Sequence, residues 1–212
     1  MWPGDLSPWP VKREAAGAAT RPPLLFTETW KEPQSPKPLP IEDRWVSKVP
    51  VVSNPDLELK LYGPDAKTVS VNPHEGRLDL WNGDSSSPVA ITLRHKSSYF
   101  DLTGLARLRW IVRTQGLHAA HPVLKLADGT LIAGTHRDDT DGLFLQREIA
   151  FTNQRWFRLD PMKVTTGGIV ANPDLSKVDE IGWVDLAAGG GRGNAGWVNM
   201  STIELYAKAV PR

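Results

Sequence analysis

Cationic side chains alternate with apolar ones in "LARLRWIVR", where Leu108, Trp110 and Val112 would share one side of a strand and Arg109 and Arg113 the other. We extend this pattern to neighbouring segments, taking as the inward set Leu93, Leu108, Trp110, Val112, Leu124, Leu126, Phe157 and Leu159. The opposite surface then collects Arg94, Arg109, Arg113, Lys125, Trp156 and Arg158. Guanidinium forks suit carboxylates and sulfates, and an indole ring suits the apolar face of a sugar. The pattern predicts a site for an anionic glycan; the alternative is an ordinary solvated face.

A second group of reactive side chains lies in "HKSSYFD". His95, Lys96 and Tyr99 are of the types that move protons in β-elimination or hydrolysis. They would be the catalytic residues if the protein were a polysaccharide lyase or a glycoside hydrolase. The alternative is that they occupy a turn and that Tyr99 simply packs.

Oxygen and nitrogen ligands occur in two loops. Asp138, Asp139 and Asp141 precede a glycine in "HRDDTDG" and could hold a structural calcium ion, although an acidic hairpin tip has the same composition. His118 and His121 are spaced as a zinc pair that would need a third ligand. Apart from the possible calcium, no cofactor is expected.

A glycine-rich stretch, "GGGRGNAGW", contains the spacing Gly-x-Gly-x-x-Gly from Gly191 to Gly196. A dinucleotide site requires a helix after this turn, whereas "WVNMSTIELYAK" has the character of a strand. We therefore interpret the stretch as a loop between two strands, from which Arg192 could reach a ligand. Asp185, just before it, is expected to be buried and hydrogen-bonded.

Short apolar runs that must position these groups recur from Asp56 onward. They are separated by the turn dipeptides Asn82-Gly83, Asp128-Gly129 and Asp141-Gly142, and no helical stripe is evident. About ten strands at this spacing predict an all-β fold, an antiparallel jelly-roll β-sandwich.

Proline divides the chain into regions. Of the 18 prolines, most lie in the first 55 residues, which excludes a helix there. We predict a flexible leader (1–22), an extended proline-rich segment packed on the core through residues such as Phe26 and Trp30 (23–55), and the jelly-roll domain (56–212).

The segments "YFDLTGLARLRWIVRTQG", "LQREIAFTNQRWFRLD" and "NPDLSKVDEIGWVDL…IELYA" occur in an order that resembles galactose-binding-like β-sandwiches. This group includes many bacterial carbohydrate-binding modules. The resemblance covers about half of the chain at the level of the fold, and it implies glycan binding.

Composition limits the possible partners. The net charge of +1 argues against nucleic acid, and the absence of cysteine excludes disulfides and thiolate metal sites. No run approaches the roughly 18 apolar residues of a membrane span. We expect a periplasmic or extracellular protein that binds a polysaccharide or oligosaccharide. A lyase or hydrolase of the same fold, or a structural or protein-interaction domain, is the alternative.

Overall fold

The computed structural model describes residues 20–31, 50–74, 76–83, 85–187 and 196–212. Two antiparallel sheets pack face to face, and the described residues contain no α-helix. This confirms the predicted all-β jelly-roll sandwich. No helix in the described part of the chain is long and apolar enough to cross a membrane.

The first sheet has six strands in the order β10-β7-β14-β4-β3, with β1 also paired to β14. Their bounds are β1 Leu24–Glu28, β3 Ser70–His74, β4 Arg77–Trp81, β7 Arg107–Gly116, β10 Leu145–Ala150 and β14 Gly196–Tyr206. The two longest strands, β7 and β14, are neighbours and form the centre of this sheet.

The second sheet has nine strands in the order β12-β11-β9-β8-β13-β5-β2, extended by β6 beside β13 and β15 beside β6. Their bounds are β2 Leu57–Tyr62, β5 Val89–His95, β6 Ser98–Asp101, β8 His121–Leu126, β9 Leu131–Gly134, β11 Trp156–Leu159, β12 Thr166–Val170, β13 Val178–Asp185 and β15 Lys208–Pro211.

The main core lies between the sheets and follows the predicted period of two in most strands. Leu108, Trp110 and Val112 of β7 face Leu93 of β5 and Leu124 of β8 within one buried cluster. We use "outer" for the side of each sheet that faces away from this core. Alternation places the other residues of these strands on the outer sides.

Strand β11 has the opposite phase to the one predicted. Trp156 is 3% exposed and belongs to the main core, whereas Leu159 joins a second, smaller cluster on the outer side of the nine-stranded sheet. Phe157 pairs with Ala133, which belongs to the same outer cluster. The reason is the pairing with β9, because Trp156 lies opposite Gly134, which has no side chain to occupy the space beside the indole.

Part of the proline-rich region is a strand. Residues 24–28 form β1, and Phe26 and Trp30 are buried in the main core. The Trp30 ring packs edge-on against Trp183, and its indole N–H donates to the carbonyl of Met200. The rest of the predicted extended segment (32–49) and most of the predicted leader (1–19) lie outside the described residues.

Candidate functional site

The six predicted glycan-binding residues do not form one surface. Arg109 and Arg113 lie on β7, on the outer side of the six-stranded sheet, whereas Arg94 and Lys125 lie on the outer side of the nine-stranded sheet. Trp156 is buried, so its ring has almost no surface to offer a sugar. The prediction of one shared cationic surface is therefore wrong. The cause is that β5 and β8 belong to one sheet and β7 to the other, which alternation within a strand cannot reveal.

Several of these cations are occupied by carboxylates of the protein itself. Arg94 contacts Asp179 at 3.1 Å, and Arg109 contacts Glu148 at 3.2 Å and Glu204 at 3.1 Å. The guanidinium of Arg21, and then that of Arg109, keep the pKa of Glu148 below its usual range. These groups are held in place by one another rather than directed at a ligand.

Arg113, nearer the other end of β7, lies near two aromatic rings. Its guanidinium carbon is 5.6 Å from the ring centroid of Phe144 and 6.0 Å from that of Trp197. The guanidinium of Arg77 lies 5.2 Å from the same Phe144 ring. Both guanidiniums are within the range of a cation–π contact. We call this group, together with Trp81, the arginine–aromatic face.

The arrangement of strands explains how this face forms. Arg77 is on β4 and Phe144 immediately precedes β10, so β14 and β7 lie between them. The Arg77 side chain thus extends across the outer surface of the sheet to meet Phe144. Asp79, on the same side of β4 as Arg77, is fully buried, so the larger side chains of this face cover it.

A polar row lies beneath the rings. Arg113 pairs with Asn199, Asn199 with Trp81, and Trp81 with Ser70, which places all four on the same side of the sheet. Asn199 and Ser70 are buried. The Asn199 Oδ1 and Ser70 Oγ atoms have no hydrogen-bond partner among the described residues. Buried polar atoms without a partner are exceptional in folded proteins.

Sequence reasoning missed Arg77, Trp81, Phe144 and Trp197. A signal existed in "RLDLW", where Arg77, Asp79 and Trp81 alternate with Leu78 and Leu80. It predicts a strand with a polar aromatic side, but the position of that strand beside β14 is a tertiary fact.

The outer side of the nine-stranded sheet holds a buried carboxylate. Glu180 accepts hydrogen bonds from the Tyr62 hydroxyl at 2.7 Å, from the Thr92 hydroxyl at 2.5 Å and from the Lys125 ammonium at 3.0 Å. Burial, and then the hydrogen bond to Glu180, raises the pKa of Tyr62 to about 12. The Lys125 ammonium is therefore already paired with the Glu180 carboxylate. Tyr62 is not a base at neutral pH.

The three candidate catalytic residues lie around the connection between β5 and β6, on the sheet opposite the arginine–aromatic face. His95 Nδ1 is 2.9 Å from the Ser98 hydroxyl, and the Lys96 ammonium donates to the carbonyl of Pro55. The guanidinium of Arg212 lies 4.5 Å from the centroid of the Tyr99 ring. Each group thus has a local structural contact, and a catalytic role for these three residues stays a prediction.

Asp185 is buried and hydrogen-bonded, as predicted. Its Oδ2 lies 2.6 Å from His118 Nδ1 and accepts a bond of 2.9 Å from the side-chain amide of Asn82. The Asn82 Oδ1 in turn accepts from the backbone N–H of Val198 at 2.7 Å. Because Asn82 and Val198 belong to the six-stranded side and Asp185 ends β13, this chain of bonds joins the two sheets.

The predicted metal ligands do not converge. Asp138 accepts a bond from the Trp110 indole at 2.7 Å, whereas the exposed Asp139 contacts Arg137. In the parts of the chain that the structure describes, no three His, Asp or Glu side chains are placed to hold a metal ion. Burial lowers the pKa of His121, and this residue belongs to no group of three possible ligands within the described part of the chain.

The glycine-rich stretch leads into a strand. Gly196 is the first residue of β14, so a strand follows where a dinucleotide fold requires a helix. Gly191 and Arg192 lie outside the described residues.

No protein-family model matches the chain, and no curated protein matches it. Solved structures that it resembles include an exo-beta-agarase, with 10% identity and a TM-score of 0.42 over 75% of this chain and 24% of that chain. PfGH50B has 9% identity and a TM-score of 0.42 over 73% of this chain and 23% of that chain. This chain thus spans about a quarter of the length of each.

A third similar structure is the family 11 carbohydrate-binding module of the cellulosomal cellulase Lic26A-Cel5E of Clostridium thermocellum. The identity is 10% and the TM-score 0.38, over 73% of this chain and 85% of that module. A carbohydrate-binding module is thus among the solved structures that this chain resembles, at the level of the fold alone.

Proposed function

We propose that the protein binds a polysaccharide on the outer side of the six-stranded sheet, at the arginine–aromatic face. The observation that carries the proposal is the meeting of Arg77 and Arg113 at one ring, with their guanidiniums 5.2 and 5.6 Å from the Phe144 centroid. Trp197 extends the same surface. We also propose that the protein is located outside the cytoplasm, which would suit a polysaccharide ligand.

The chemistry of the face suits a sugar chain. The C–H bonds on the flat side of a sugar ring carry partial positive charge, which is attracted to the negative face of an aromatic ring. Guanidinium groups donate several hydrogen bonds in a fixed plane, and the hydroxyl oxygens of a sugar can accept them. Hydrogen-bond donors beside aromatic rings are what a chain of hydroxylated rings requires.

We further propose that the bound polysaccharide is anionic, with uronic-acid units. Arg77 and Arg113 bring two guanidinium groups to the side of the sheet that also holds the buried carboxyl group of Asp79. A guanidinium binds a carboxylate through two parallel hydrogen bonds.

Affinity electrophoresis in gels containing polygalacturonate, alginate or a neutral β-glucan tests the proposal. We expect retardation by a uronan, weaker retardation when the salt concentration is raised, and at least about tenfold weaker binding for Trp197→Ala and Arg113→Ala. The matched controls are Phe157→Ala, an aromatic residue on the other sheet, and Arg109→Ala, an arginine nearer the other end of the same strand.

Four results would contradict the proposal. Equal loss of binding in the control variants would place the site elsewhere, and binding to the neutral glucan alone would overturn the anionic preference. Failure to bind any glycan would favour a protein-interaction role. Unsaturated products or new reducing ends in the same incubations would indicate a lyase or hydrolase rather than a binding protein.

A further inference from the structure

An open cavity of about 500 Å³ lies at one end of the nine-stranded sheet, away from the arginine–aromatic face. The turn between β8 and β9, the end of β11, the connection after it and the start of β12 form its walls. Its polar lining consists of Arg158, Asp160, Thr130, Thr165 and Thr166, and its apolar lining includes Leu131, Leu159 and Pro161. The volume lies within the range of small-molecule sites.

Arg158 is exposed, unlike most of the other cations predicted to bind glycan. Its guanidinium makes no hydrogen bond and no ion pair with any other described residue, in contrast to those of Arg94 and Arg109. The space around Arg158 stays open because the neighbouring strand, β12, has glycine at positions 167 and 168. A Cβ at Gly167 would lie 3.7 Å from the Arg158 Cβ, so the missing side chain leaves the cavity open beside the arginine.

The charges around the cavity balance. Backbone N–H groups of Met162 and Lys163 hold the pKa of Asp160 below its usual range, and that of Asp128 is lowered by Thr130 and, to a smaller degree, by Arg158. Both carboxylates therefore stay ionised at neutral pH and offset the charges of Arg158 and Lys163. An anion would therefore gain little electrostatic binding energy in this cavity.

The mixture of hydrogen-bonding groups indicates the ligand. Arginine only donates, an ionised aspartate only accepts, and threonine hydroxyls do both. Hydroxyl groups of a neutral sugar are donors and acceptors at once, and the apolar residues of the cavity can contact its C–H groups. We propose that this cavity is a second carbohydrate site, which takes a neutral mono- or disaccharide unit and is independent of the arginine–aromatic face.

Nuclear magnetic resonance of the full chain tests this site, with cellotriose, xylotriose and maltotriose as neutral probes and trigalacturonate as the anionic one. We expect one of the neutral probes to shift the backbone amides of Gly129, Thr130 and Thr166 in a saturable manner. Loss of a hydrogen bond from a charged donor weakens affinity about tenfold or more, which is the effect we expect of Arg158→Ala.

A second variant fills the cavity without changing charge. Gly167→Val should abolish the shifts, because the new side chain projects beside Arg158, in ordinary van der Waals contact at its Cβ. The matched controls are Arg155→Ala, a nearby arginine on another cavity, and Gly168→Val, where a Cβ would meet nothing within 4 Å. Both should bind within about twofold of the native chain. Unchanged melting temperatures would show that each variant is folded.

Two results would overturn this inference. One is the absence of saturable shifts at these amides with every neutral probe, and the other is equal loss of binding in Arg155→Ala and Arg158→Ala. Trp197→Ala separates the two proposed sites, because it should leave the Gly129 and Thr130 shifts intact even where binding to a long uronan is lost.

Discussion

Arginine takes three different roles in this protein, which its position in the sequence does not distinguish. Arg109 is neutralised by Glu148 and Glu204, Arg113 lies between aromatic rings, and Arg158 opens into a cavity. Arg109 and Arg113 are even on the same side of the same strand. The difference arises from the neighbouring strands, which bring Glu148, Glu204 and the Tyr206 ring to Arg109 and the Phe144 and Trp197 rings to Arg113.

At the same scale, the Glu180 cluster predicts an unusual tyrosine titration. The chain has three tyrosines. The Tyr62 hydroxyl should ionise with a midpoint near pH 12, above the ordinary tyrosine pKa of 10. The raised folded-state pKa contributes stability that is fully present below pH 10. That stability is lost as the pH rises towards 12, because the unfolded chain releases this proton first.

Absorbance of tyrosinate across an alkaline titration measures this group. Tyr62→Phe should remove the component with the highest midpoint and make the stability less sensitive to pH between 10 and 12. A component near pH 10 that disappears in Tyr62→Phe would show that the hydroxyl is not buried against Glu180.

At the scale of the element, β1 shows that a proline-rich region can supply part of the core. Phe26 packs against Phe100 of β6, and the buried Glu28 carboxylate accepts bonds from the backbone N–H groups of Trp30 and Ser53. These bonds join the end of β1 to residues that follow the proline-rich stretch. The strand is thus an integral part of the sandwich.

We therefore predict that Phe26→Ala lowers the free energy of unfolding by about 3 kcal/mol or more, the usual cost of truncating a buried phenylalanine. Leu24→Ala, in the same strand but 47% exposed, should cost less than about 1 kcal/mol. Urea denaturation monitored by tryptophan fluorescence measures both. Similar small losses in the two variants would mean that β1 only rests on the surface.

At the scale of the whole molecule, the two sheets are joined at one end by the chain of bonds from His118 through Asp185 and Asn82 to Val198. Apolar packing alone holds sheets together without fixing their relative position, whereas directed bonds between buried groups do fix it. Because Asn82 follows Trp81 and Val198 follows Trp197, the same bonds support the arginine–aromatic face.

Asp185→Ala should therefore destabilise the whole sandwich by about 3 kcal/mol, because it leaves Asn82 and His118 buried without their partner. Asp139→Ala removes an exposed carboxylate and should cost less than about 1 kcal/mol. Thermal and urea unfolding distinguish the two. A loss under 1 kcal/mol in Asp185→Ala would show that water replaces the bonds.

Features that depend on neighbours along the chain could be predicted from the sequence. Alternation at Leu108, Trp110 and Val112 predicted strands and a core side, the strand-like residues after Gly196 excluded a dinucleotide site, and the apolar context of Asp185 predicted its burial. Each of these follows from the geometry of a single extended strand.

Which outer sides belong together could not be predicted in this way, because strand order and pairing are set by contacts between distant residues. The tertiary structure separated Arg94 and Lys125 from Arg113, reversed the phase of Trp156 through its pairing with Gly134, and placed Arg77 of β4 over Phe144 beside β10. Alternation gives each strand two sides; packing decides which strands share them.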